Sequence, residues 1–165
     1  GFDVNDGVFR LTVLRSSSRP DPDPDEGIQH FTYSLCPHAG NWMGAQTDER
    51  ALELNIPLLA VVTTPHPPAE QIPSLSVHNL GGKGDLVVTA LKRAEDGKGY
   101  ILRFYEADGQ NTRARIDFDQ PMRVSATDIL ERPIENRIPA TTGQSATVPV
   151  GHNQIVTLRF EPASS

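Results

Sequence analysis

The chain has 165 residues, a formal net charge of −6 at pH 7, 13 glycines, 14 prolines and one cysteine. An acidic chain repels a phosphate backbone and an anionic bilayer surface, so neither nucleic acid nor membrane is an expected partner. It has no run of about 18 apolar residues to span a bilayer.

Residues 8–14 place Phe9, Leu11 and Val13 on one face, the period of a strand. Residues 15–27 cannot continue it, because Pro20, Pro22 and Pro24 remove backbone donors and extend each preceding residue. A strand is expected again over 28–36, with Phe31, Tyr33 and Leu35 aligned. A short helix is expected over 41–54, with Asn41 as N-cap and Trp42, Ala45 and Leu52 as a partial stripe. Leu58 to Thr63 reads as a buried strand, and residues 64–73 as a proline-rich linker. The boundary falls there, dividing the chain into domains 1–72 and 73–165.

Beyond it, strands are expected at 74–80, 86–92, 100–106, 112–118, 121–127, 145–150 and 154–160. Thr112, Ala114, Ile116 and Phe118 alternate with Arg113, Arg115 and Asp117, and Val156, Leu158 and Phe160 repeat the pattern. The class is all-β: a small C-terminal antiparallel β-sandwich with one short helix before it. The earlier strands are too few to close a core and are expected to edge a larger, incomplete β-sandwich. The opening Gly-Phe-Asp-Val-Asn-Asp-Gly has neither Met nor a signal-peptide layout and reads as mid-protein sequence. Lone Cys36 cannot close an internal disulfide, and a reducing, cytoplasmic setting is expected.

Few residues have the spacing that chemistry needs. His30, His38, His66, His78 and His152 fall on different elements and form no metal-ligand motif. Asp21, Asp23 and Asp25 alternate as in a calcium loop, yet Glu26 and Thr32 occupy the places of the required glycine and glutamate. Gly81-Gly82-Lys83-Gly84 lacks the phosphate-loop spacing and reads as a turn. There is no Gly-x-Ser-x-Gly elbow.

Two constellations remain. Arg15, Asp25 and His30 lie on the stiffened segment between two strand patterns, where a fixed polar set could meet sugar hydroxyls. The same residues could instead brace the loop, with Arg15 pairing Asp25 and His30 satisfied in the sheet. The second is Lys92, Glu95, Asp96, Arg103 and Glu106 around a hairpin turn carrying Gly97 and Gly99. A cross-strand charge cluster is the expectation there.

Leu91 to Glu106 resembles the pattern A-x-K-x-A-E-D-G-x-G-x-I-L-R-x-Y-E of the C-terminal β-domains of glycoside hydrolase family 38 α-mannosidases. The first constellation resembles that family's L-R-S-P-x-x-P-D-P-x-A-D-x-G-x-H-x-F-x-Y-x-L-x-P-H stretch, in its bacterial and cytosolic branch. Leu14, Arg15, Ser16, Pro20, Asp21, Pro22, Asp25, Gly27, His30, Phe31, Tyr33, Leu35, Pro37 and His38 keep it, and Ser17 and Pro24 depart from it. Asn55-Ile56-Pro57-Leu58 is similar to the family's N-x-P-L.

The resemblance implies a mutarotase-like supersandwich for the first part and a non-catalytic module packed on an N-terminal catalytic barrel. It implies that the parent enzyme is a zinc-dependent, retaining glycosidase acting on terminal α-mannosides. Zinc, nucleophile and acid/base residues belong to that barrel, and none of their motifs occurs here. Within this chain no catalytic or metal residue is expected; Arg15, Asp25 and His30 are the candidates to face the sugar cleft. Self-association through an open sheet edge is a further expectation. A stand-alone carbohydrate-binding module is the alternative, and it needs an aromatic platform that a single Trp42 in a helix pattern does not supply.

Overall fold

In the computed structural model, residues 1–62, 64, 73–81, 85–135 and 141–163 are described. The chain forms two units, Gly1–Ala60 and Val61–Ser165. The linker expected at 64–73 lies almost wholly outside the described residues.

In the first unit, β1 (Phe2–Asn5) and β2 (Val8–Leu11) form an antiparallel hairpin. Its two-residue turn, Asp6-Gly7, has φ of 49° and 74°. Both values are positive, the turn whose twist matches paired strands. Phe2 and Phe9 stack with centroids 6.0 Å apart, and Arg10 pairs with Asp3 at 2.7 Å. The helix α1 (Thr47–Asn55) starts later than expected. The Asn41 side chain accepts the N–H of Gly44 at 2.9 Å, opening a run of turns, while Gln46 precedes the helix without a side-chain cap.

Residues 28–36 and 58–62 form no strand, contrary to their pattern. A strand exists only where a neighbour takes up its N–H and C=O groups, and in this unit only the tight hairpin supplies one. Leu58 and Val62 are fully exposed, so the expected burial of that segment is corrected as well.

The second unit is an antiparallel six-stranded sheet curled on itself. It contains β3 (Leu75–Asn79), β4 (Leu86–Arg93), β5 (Tyr100–Glu106), β6 (Thr112–Thr127), β7 (Thr141–Val150) and β8 (Ile155–Pro162). The strands expected at 112–118 and 121–127 are one element. On one flank, β6 pairs with β3 through Phe118 and with β8 from Met122 onward. On the other, β7 follows both halves, with a register shift between Asp117 and Met122. Pro121 sits at this change of partner, where its missing N–H costs the ladder little.

Between β5 and β8, and between β8 and β6, the register preserves parity, so the inward positions of these three strands carry even numbers, whereas β3 turns its odd positions Leu75 and Val77 to the same core. Tyr100, Leu102 and Phe104 of β5 meet Phe160, Leu158 and Val156 of β8. Ala114, Ile116 and Phe118 of β6 face the same core, as do Met122 and Val124 beyond the bend. Phe160 packs against Tyr100 and Phe118 at 5.6 and 5.4 Å between ring centroids. At about 25 cal/mol per Å² of apolar surface removed from water, this layer is the main source of the unit's stability.

Candidate functional site

The segment carrying Arg15, Asp25 and His30 is irregular, and all three side chains are exposed. Asp25 adopts φ 56° and accepts a hydrogen bond from Ser16 Oγ at 3.4 Å. Asp21 Oδ1 accepts the Asp23 N–H at 3.1 Å, a local turn that short acidic side chains favour. Among the described residues Arg15 and Asp25 form no ion pair, so the partner of Asp25 is Ser16. His30 stands outside any sheet, since 28–36 is not a strand.

The second constellation does assemble, on the outer face of the second unit. The hairpin after β4 closes as expected, with Gly97 and Gly99 at φ 75° and 77°. Lys92 pairs with Glu95 and, at 2.7 Å, with Glu131. The carboxylates of Glu131 and Glu95 hold the Lys92 ammonium above its ordinary pKa. Lys92, then the backbone N–H of Glu95, holds Glu131 below its own. Arg159 donates to Asp96 and to the Lys98 carbonyl, and lies 3.2 Å from Glu161. This lowers the pKa of Asp96 and raises that of Arg159.

Arg103 bonds to Thr157 Oγ1 at 3.1 Å and to the Ile129 carbonyl at 2.8 Å. Glu106 leaves the cluster altogether. It is buried at the far end of β5, where its carboxylate accepts the N–H of Asp108 at 3.0 Å and of Asn153 at 2.8 Å. Burial opposes its charge, and backbone N–H groups of Asn153, Gln110, Asp108 and Gly109 outweigh it, leaving its pKa lowered.

Arg159 was accessible to sequence reasoning, as the outward residue between Leu158 and Phe160. Glu131 was not, because its loop carries no periodicity and its partners lie far away in sequence. Chemically the cluster is internally neutralised; its carboxylates face cations or backbone donors, and none is paired with a second carboxylate for acid/base work. Among the described residues no three His, Cys, Asp or Glu side chains are grouped to hold a metal ion.

Residues 85–158, from the start of β4 into β8, match the glycosyl hydrolases family 38 C-terminal beta sandwich domain. The chain belongs to the C-terminal β-domain region of that family.

Among curated proteins it is similar to alpha-mannosidase 2C1 of Homo sapiens, 32% identical over 137 residues, which are 81% of this chain and 13% of that protein. It is also similar to alpha-mannosidase G of Dictyostelium discoideum, 31% identical over 112 residues, 68% of this chain and 10% of that protein. The alpha-mannosidase of Saccharomyces cerevisiae is 23% identical over 160 residues, 88% of this chain and 14% of that protein. The likeness to the human protein covers more of the chain than the second unit holds, so it reaches into the first. The chain spans about 13% of the length of the curated relatives it matches first. No solved structure matches it.

Proposed function

We propose that the chain is a non-catalytic C-terminal β-module of an α-mannosidase that hydrolyses terminal α-mannosides with retention. One observation carries this: a 32% likeness to an alpha-mannosidase across 81% of the chain but only 13% of the relative. The module completes the fold of the larger enzyme and helps to shape its sugar cleft through the segment bearing Arg15, Asp25 and His30. Its principal partner is the catalytic barrel of the same polypeptide, and the mannoside is met through that partner. Zinc in this reading is held by the barrel; the described residues bring no ligand set together for it. The lone Cys36 suits a cytoplasmic setting.

One further feature supports the reading. The segment Ile56–Val62 is aliphatic and exposed, with Leu58, Leu59, Val61 and Val62 each at least 78% accessible. Such a run is costly to leave in water, and strand partners from elsewhere in the polypeptide would cover it.

The test is hydrolysis of an aryl α-mannoside, with and without added zinc, by this chain and by the full-length polypeptide. Turnover by the full-length protein and none by the chain is the expected outcome. Zinc-dependent turnover by the 165-residue chain itself would overturn the assignment.

A further inference from the structure

The turn between β7 and β8 commits every one of its peptide donors. Gly151 N–H donates to Gln154 Oε1 at 2.6 Å, and His152 N–H to Asn111 Oδ1 at 3.1 Å. Asn153 N–H goes to the buried Glu106 carboxylate at 2.8 Å, and Gln154 N–H to the Gly151 carbonyl at 3.1 Å.

Beside this turn lies a cavity of about 310 Å³, at the small end of the roughly 300–1,000 Å³ that small-molecule sites occupy. Its apolar wall is made by Val150 and Val156, both buried, with exposed Pro149 beside them. Asn111 and Gln154 supply its amide groups, and Thr112, whose hydroxyl donates to Asn79, lines it from β6. No lining side chain carries a charge. Gly151 lets the two amides close in. A Cβ there would lie 3.2 Å from Gln154 Oε1 and 3.9 Å from Asn111 Oδ1, so both amides border the space that the glycine leaves open.

The two backbone bonds also decide which end of each amide is which, because only the oxygen can accept an N–H. Among the described residues neither NH2 group donates to protein. Each amide therefore keeps its N–H donors and a second lone pair on its oxygen, held in place by the turn.

The geometry points to a sugar site of the module's own: this cavity holds one neutral pyranose, the mannosyl unit of the parent enzyme's substrate. The choice of a mannosyl unit among pyranoses rests on the proposed function. The class of ligand follows from the lining. Hydroxyl groups both donate and accept, which matches amides that offer both. The C–H face of the ring covers Val150 and Val156, where a ligand without hydroxyls would bury the two NH2 groups unpaired. An anion would enter without a counter-ion. A peptide strand would need a row of unpaired main-chain N–H groups, and those of the turn are consumed. Because the turn is already fixed, the sugar's arrival costs little ordering entropy. No aromatic ring lines the cavity, so a dissociation constant on the order of millimolar is expected for a single pyranose.

The 165-residue chain, whose second unit has its own core, is titrated with methyl α-mannopyranoside and followed by amide proton–nitrogen correlation spectra. Saturable shifts are expected at the Asn111 and Gln154 NH2 signals and at the Gly151 and His152 N–H signals. Asn111→Asp and Gln154→Glu keep the oxygen that each turn N–H needs and remove the NH2. Each should weaken binding at least tenfold while the spectrum of the core stays unchanged. Gly151→Ala should weaken it as well, by filling the space between the amides. Absence of saturable shifts at these signals overturns the inference. Unchanged affinity in both carboxylate variants also overturns it and makes the amides braces of the turn only. Tighter binding of a phosphorylated mannoside, or equal binding of N-acetylalanine N-methylamide, gives the cavity to an anion or a peptide and overturns it too. Hydrolysis of an aryl α-mannoside by the full-length polypeptide is scored separately. Saturable binding without turnover removes the mannosidase assignment and leaves a pyranose site; turnover without binding does the reverse.

Discussion

The carboxylate of Glu106 accepts the backbone N–H of Asn153 at 2.8 Å, joining positions 47 residues apart. The same side chain takes the Asp108 N–H at 3.0 Å. One buried anion thus organises the turn after β5 and the turn between β7 and β8. Substituting Glu106→Gln keeps the shape but turns one acceptor into a donor facing N–H groups. A loss on the order of 1–3 kcal/mol is expected for orphaning a buried backbone donor. By thermal unfolding that is a Tm lower by about 4–8 °C for each kcal/mol in a domain of this size. An unchanged Tm would show that water replaces the carboxylate without penalty.

The same group sets an acid dependence. Its folded-state pKa lies below the ordinary value of 4.5, so its stabilisation is fully present above that value and is lost as pH falls through the lower folded one. Asp96, Asp128 and Glu131 are lowered too and add in the same direction. Lys92 has the opposite sign: raised above 10.5, its contribution is complete below that value and is lost as pH rises through the folded pKa. Thermal unfolding followed from pH 7 to 3 should show a steeper fall in Tm for the native chain than for Glu106→Gln. Parallel curves would remove Glu106 from the acid response.

The hairpin glycines separate strain from crowding. Gly97 and Gly99 share a positive φ, but a Cβ on Gly97 would meet nothing within 4 Å. A Cβ on Gly99 would lie 2.6 Å from both the Phe160 carbonyl and Glu161 Cγ. Gly97→Ala is therefore expected to cost roughly 1–2 kcal/mol, the left-handed penalty alone. Gly99→Ala must also displace β8 backbone and should lower the denaturant midpoint more. Equal midpoints would mean that β8 yields freely at Phe160.

On the proposed function, Arg15→Ala, Asp25→Ala and His30→Ala in the full-length polypeptide are expected to reduce turnover of an aryl α-mannoside more than they reduce Tm. The basis is that all three are exposed and that Asp25 is held by exposed contacts of 3.4 Å, from Ser16 Oγ to its carboxylate and from Gln29 Nε2 to its carbonyl, so little folding energy depends on them. A lower Tm with unchanged turnover per folded molecule would make the segment a brace.

Local pattern was enough for the second unit and not for the first. Along β6 and β8 the even positions are inward because period two is a property of the single strand, and the sequence shows it directly. The turn at Gly97 and Gly99 was equally legible, since only glycine takes that backbone freely. What sequence alone determined, then, was the class: short antiparallel strands, a charged hairpin, and ordered motifs shared with the family 38 β-domain.

Tertiary structure decided which patterns became strands and which charges met. Residues 28–36 carry the same alternation as β8, yet they stay irregular because no neighbour closes their hydrogen bonds. That β6 continues past Pro121 depends on β3 and β8 taking consecutive stretches of one flank. Glu131 joins Lys92 because the chain after β6 turns back over the sheet. Each of these is a contact between residues distant in sequence, and its energy is realised only when another element arrives.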